Sequence, residues 1–187
     1  MKIGVLVAML AALAANARAE QKLDVFVKNG ERIPFETLQR AEALASRIFA
    51  SADVRIAWHG LAPSGWKGQN RVIIIQLELD TPASYHTGAL GHALPYEGVH
   101  ISIFYSRIRQ MDQQDLEATL LAHAIVHEMT HLLQGIARHS ATGVMKAHWD
   151  SHDYLEMKRH FLALTPEDIQ MIRNAAKHPA VMAAKTP

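Results

Sequence analysis

His127-Glu128-Met129-Thr130-His131 sets two imidazoles four residues apart with a carboxylate beside the first. On an α-helix such residues stack on one face, so both rings reach one ion, while Glu128 projects beside them and takes a proton from a water polarised by that ion. Chance gives this pattern in roughly a few per cent of chains so rich in histidine, and the bland reading is a pair of satisfied helix histidines beside a solvated acid. The residues downstream weigh against chance. Gly135 stands four residues past His131, and four further comes His139, followed by Ser140 and then Gly143-Val144-Met145. A helix that stops so the chain can turn back brings a third ligand under the ion. His139 is the expected ligand, with a plain surface-loop role as its alternative. His148, His152 and Glu156 compete for the same position. His123, one turn before His127, lies near the same face, but three successive turns drift apart. It reads as packing, or as a residue that orients a ligand.

The elements that position these residues follow from periodicity. Leu23 to Lys28 reads as a first strand ending at the turn signal Asn29-Gly30. Pro34 suits a first helical position, and Phe35, Leu38, Ala41, Leu44, Ala45, Ile48 and Phe49 form one apolar face of a helix running to about Ala52. Val54 to Trp58 is a short strand, and Gly60 to Asn70 is a loop by its breaker content. Arg71 to Leu79 is the strongest strand, apolar on both faces through Val72-Ile73-Ile74-Ile75, as a central strand covered by helices would be. Tyr85 to Leu94, past Thr81-Pro82, reads as an exposed edge strand rich in glycine and histidine. Gly98 to Arg107 alternates as a fifth strand. The long helix bearing the motif runs from Asp112 or Asp115, either a potential cap, to Gly135, a fitting left-handed terminus. A loop from Ile136 to about Trp149 leads to a short helix around Asp153 to Leu162. Thr165-Pro166-Glu167-Asp168 opens a final helix with a cap, a first-turn proline and first-turn acids.

His127, Glu128, His131, Gly135, His139 and Met145 together resemble the metzincins, zinc peptidases in which His-Glu-x-x-His is followed by glycine, a third histidine and a methionine-bearing turn beneath the metal. The order of elements resembles theirs over most of the chain. The spacing departs: the usual His-x-x-Gly-x-x-His is here His131-x-x-x-Gly135-x-x-x-His139. The resemblance implies an α+β, zincin-like fold: a mixed, twisted five-stranded sheet, two long helices and a small C-terminal helical subdomain. It implies one catalytic zinc on His127, His131 and His139, Glu128 as general base, and Met145 under the metal, where the bland alternative is a gap-filling core methionine. Glu156 is the alternative third ligand, as in the thermolysin-like class, but Tyr154 to His160 lacks the asparagine or serine pattern of that class. Tyr154 or His148 is the expected extra donor to a developing oxyanion.

Composition narrows the rest. There is no cysteine, which excludes disulfide scaffolding, thiolate metal sites and a cysteine nucleophile, so any metal sits on nitrogen and oxygen. Lys2, the apolar stretch Ile3 to Ala15 and Ala17-Arg18-Ala19 read as a secretory signal cleaved after Ala19, since that stretch is shorter than the roughly 20 residues of a bilayer span. Removing residues 1–19 leaves 168 residues with 17 basic against 18 acidic, which gives no sign of nucleic-acid binding. Residues 20–187 then form a single catalytic domain. The expected protein is an exported, periplasmic or secreted monomer that acts on a peptide or protein and is not inserted in the membrane. Two rivals share the site: a non-catalytic exported metal- or partner-binding domain, and a zinc hydrolase of a non-peptide amide.

Overall fold

Alternate residues of the strands point to opposite faces, and that alternation sets where the core lies. In the computed structural model, which describes residues 20–29, 33–60, 68, 70–79, 85, 88–111 and 114–177, five strands form one sheet in the order β2-β1-β3-β5-β4. They are β1 (Gln21–Lys28), β2 (Val54–His59), β3 (Arg71–Glu78), β4 (Gly91–Ala93) and β5 (His100–Phe104). β1 pairs in parallel with β2 and β3, and β3 with β5, whereas β4 runs antiparallel to β5 at the edge. The expected signal segment, Gly30 and Asp112 lie outside the described residues.

Two long helices cover one face of this sheet. In α1 (Phe35–Ala50), Ala41, Ala45, Ile48 and Phe49 are buried, and the small Ala41 and Ala45 allow close packing against α3 (Glu117–Gln134). Leu23, Val25, Ile73, Ile75 and Ile103 from the sheet join Leu120, Leu121, Ile125 and Met129 from α3 in one core. Each large side chain buried there contributes roughly 1.5–3 kcal/mol. The expected α+β architecture is therefore present: a mixed five-stranded sheet, two long helices and, after them, α4 (Ser151–Met157) and α5 (Pro166–Lys177).

Several local expectations are corrected. Val72 and Ile74 are only partly buried, so β3 is covered by helices on one face, not two. The fifth strand stops at Phe104, and Tyr105–Gln110 forms a short helix, α2. Tyr105 and Ile108 are both buried in it, a spacing of three that the alternating pattern concealed. The edge strand is only Gly91–Ala93. Asp115 does not cap α3; it lies in a 3-10 turn, Gln114–Leu116, and Leu116 occupies the cap position without a side-chain bond. Pro34 is the cap of α1 rather than its first residue. α4 starts two residues early because Asp150 accepts from the backbone N–H groups of His152 and Asp153, while Asp153 accepts from the N–H of Asp150.

Candidate metal centre

α3 is apolar on nearly every side, which buries it between sheet and C-terminal segments and gives its polar residues fixed surroundings. It ends at Gly135, whose left-handed conformation (φ 70°) turns the chain back. That return matters at once: the Nδ1–H of His131 donates to the carbonyl of Ile136 at 3.1 Å. One turn earlier, His127 donates from Nδ1 to the carbonyl of Val144 at 2.9 Å. A carbonyl can only accept, so both Nδ1 atoms carry the proton and both Nε2 atoms are left with bare lone pairs.

Those two Nε2 atoms face each other 3.2 Å apart. A proton shared between them would require an imidazolium, and burial opposes one. Burial lowers the His127 pKa to about 4, with the nearby His131 and His139 rings adding to the effect, and also lowers that of His131. Two lone pairs directed at one point are a donor set for a cation. His139 completes it, its ring centroid 5.2 Å from that of His127 and 5.0 Å from that of His131. One ligand atom from each of the three rings falls within 4.8 Å of the others. The three nitrogens therefore fit one metal ion.

Glu128 is 8% exposed, and burial raises its pKa to about 8. A cation in the adjacent site favours the carboxylate and opposes that shift. The edge strand crosses directly over this side chain. A Cβ at Gly91 would lie 2.7 Å from Cγ of Glu128 and 2.9 Å from its Oε1, so only glycine allows β4 to approach so closely.

By sequence, no protein-family model matches the chain and no curated protein matches it. Among solved structures, archaemetzincin from Methanopyrus kandleri is similar, with a TM-score of 0.56 and 19% identity over 84% of this chain and 96% of that one. The chain has the archaemetzincin fold.

Within that fold the other candidates separate. Met145 is fully buried in the turn that carries the Val144 carbonyl, and its own carbonyl accepts from the N–H of Ser140 at 2.8 Å. Gly143, at φ 76°, shapes this turn: a Cβ there would lie 2.4 Å from the Ala163 carbonyl oxygen. His148 is exposed, and its charge helps to lower the His139 pKa, after burial. Tyr154 is partly buried, which raises its pKa, as do Asp153 and Asp150. Glu156 is exposed and outside the ligand cluster. His152 sits with Asp150 and Asp153, whose carboxylates both hold Lys146 at 2.6 Å. Of the two readings of His123, packing fits: fully buried, it donates from Nδ1 to the Thr119 carbonyl and accepts at Nε2 from the N–H of Leu162, and bonds no ligand ring. Trp149 lies edge-on to both His123 and His127.

Four contributors had no role at the site assigned from the sequence. The carbonyls of Ile136 and Val144 belong to the backbone and have no residue signature. Gly91 was visible only as part of a glycine-rich stretch. Asp168 registered as a first-turn acid, yet it is fully buried and bonded to Ser140 beside His139.

Proposed function

We propose that the protein is a zinc-dependent peptidase that acts outside the cytoplasm. The observation that carries this reading is the pair of deprotonated Nε2 atoms of His127 and His131, facing each other beside His139 and one residue from the buried acid Glu128. Zinc on the three histidines would supply Lewis acidity for a water and for the scissile carbonyl. Glu128 takes the proton from the attacking water and later delivers it to the leaving amine nitrogen. Its burial beneath β4 excludes bulk water and keeps the carboxylate basic enough for that transfer. The carbonyls of Val144 and Ile136 hold the tautomer that leaves each Nε2 free to ligate. Tyr154 or His148 would donate to the developing oxyanion, and buried Met145 packs in the turn that carries the Val144 carbonyl.

The edge strand supports a peptide as substrate. An extended chain that adds to β4 brings its backbone past Gly91, and hence past Glu128. Lys2, the apolar run to Ala15 and Ala17-Arg18-Ala19 support export with Glu20 as the new N-terminus.

The test is zinc content by mass spectrometry together with hydrolysis of a peptide library, for the parent and Glu128→Gln. Both should hold one equivalent of zinc, and the variant should lose on the order of 10²–10⁴-fold in kcat. A parent without zinc after reconstitution, or equal turnover in both proteins, overturns the reading. N-terminal sequencing of protein recovered from outside the cytoplasm should begin at Glu20; retention of Met1 would refute the cleavage.

A further inference from the structure

His127 and His131 are each oriented by a carbonyl bonded to the ring, but the His139 ring makes no hydrogen bond to any described residue. It is also exposed. Its direction must therefore come from the backbone on either side. Arg138, before it, donates from Nη1 to the His139 carbonyl at 3.1 Å and to the Ser140 hydroxyl at 2.9 Å. Ser140, after it, donates its hydroxyl proton to Asp168 Oδ1 at 2.8 Å. The Arg138 guanidinium also faces Asp168 Oδ1 at 3.6 Å and pairs with Glu167 at 2.7 Å.

The same buried carboxylate reaches in two further directions. Its Oδ2 accepts from the N–H and hydroxyl of Thr165 at 3.0 and 2.6 Å, which closes the first turn of α5. Gln134, the last residue of α3, lies 3.5 Å from Oδ1 and 3.3 Å from the Asp168 carbonyl. Asp168 thus joins the end of the helix that bears two of the rings, the start of α5, and both neighbours of the third ring. We propose that Asp168 is the positioning residue for His139: acting through Ser140 and Arg138, it fixes the third ligand against the two on α3 and so sets the metal affinity.

This rests on the metal-site reading above. It also explains how a span longer than the usual one between His131 and the third histidine still holds a defined geometry: the longer return is anchored by side chains.

Asp168→Asn would disturb all arms at once, so the arms are cut separately. Zn²⁺ affinity is measured by chelator competition, the Co²⁺ visible spectrum reports coordination, and metal-free melting reports stability. Parent, Ser140→Ala, Thr165→Ala, His139→Ala and the Ser140→Ala/His139→Ala double variant are compared. Ser140→Ala should weaken Zn²⁺ binding by about 10–100-fold and alter the Co²⁺ spectrum, with metal-free melting near that of the parent. Thr165→Ala should lower melting by about 2–4 °C and leave affinity within a few-fold. In the His139→Ala background, Ser140→Ala should cost no further affinity. If the parent binds Zn²⁺ and Ser140→Ala binds it equally well, or if the loss persists without His139, the positioning role is overturned and the metal site stands. A parent that binds no Zn²⁺ removes the metal-site reading and this inference with it.

Discussion

On α3 the two ring nitrogens are placed by helix geometry and locked by backbone carbonyls, whereas on the following loop the third ring is placed by side chains that gather at one buried carboxylate. To present His127 and His131 correctly the helix needs its own spacing, a place in the core and two backbone carbonyls, those of Val144 and Ile136. The loop needs partners distant in sequence, and a single hydroxyl links Ser140 to Asp168. A ligand fixed by backbone tolerates most substitutions nearby, while one fixed by side chains can be tuned by a single exchange. Affinity should therefore be set on the loop and the presence of a site on the helix.

The largest test of that contrast removes a ring from each side. His131→Ala should abolish Zn²⁺ binding at micromolar metal, whereas His139→Ala should leave weak binding to the helix pair, both read by calorimetric titration. Equal losses would erase the distinction. Next, Gly143→Ala forces a side chain into a left-handed position and against the Ala163 carbonyl. It should cost roughly 3 kcal/mol in denaturant melts and weaken metal binding through the displaced Val144 carbonyl. A stable variant with parental affinity would show that the loop adapts more freely than its contacts imply.

On the helix side, His123 provides a pH test. Burial holds its folded pKa at about 4 against roughly 6.5 in an unfolded chain. Between those values the unfolded state binds the extra proton, so stability is intact above about pH 6.5 and falls as the pH drops towards 4, by at most about 3 kcal/mol. Metal-free His127, also at about 4, adds to the same slope. His123→Gln should flatten the melting-versus-pH curve by the His123 share alone; an unchanged slope would place the titration elsewhere. The smallest effects concern the edge strand. Gly91→Ala should lower kcat by about tenfold or more with zinc retained, because its Cβ displaces the Glu128 carboxylate, while Gly88→Ala, with open space around it, should be silent.

The same contrast governs what could be read in the sequence. His127, Glu128, His131 and Gly135 were legible because a helix imposes a fixed repeat, and α3 and its glycine terminus lie where that repeat placed them. His139 was legible as a candidate, and the structure brings it, not Glu156, into the cluster. The anchor was not legible. Thr165-Pro166-Glu167-Asp168 signals a helix start, and Asp168 does serve that start, but its bond to Ser140 spans a separation no local pattern encodes. α2 was missed for a related reason: Tyr105 extends the alternation of β5 and also begins a spacing of three with Ile108, so the sequence serves both periods until the sheet ends at Phe104.

The three rings span only the short stretch from His127 to His139, and polymer physics gives that a consequence for the whole chain. Closure entropy grows with the logarithm of loop length, so a tie this short constrains the unfolded ensemble somewhat less than one between distant elements. The main core of sheet, α1 and α3 is complete without the tie. An ion here ties one local loop onto a core that is already complete, unlike the metal of a small finger domain whose folding depends on it. On the proposed function, chelation should stop turnover and leave a folded chain that recovers when metal returns.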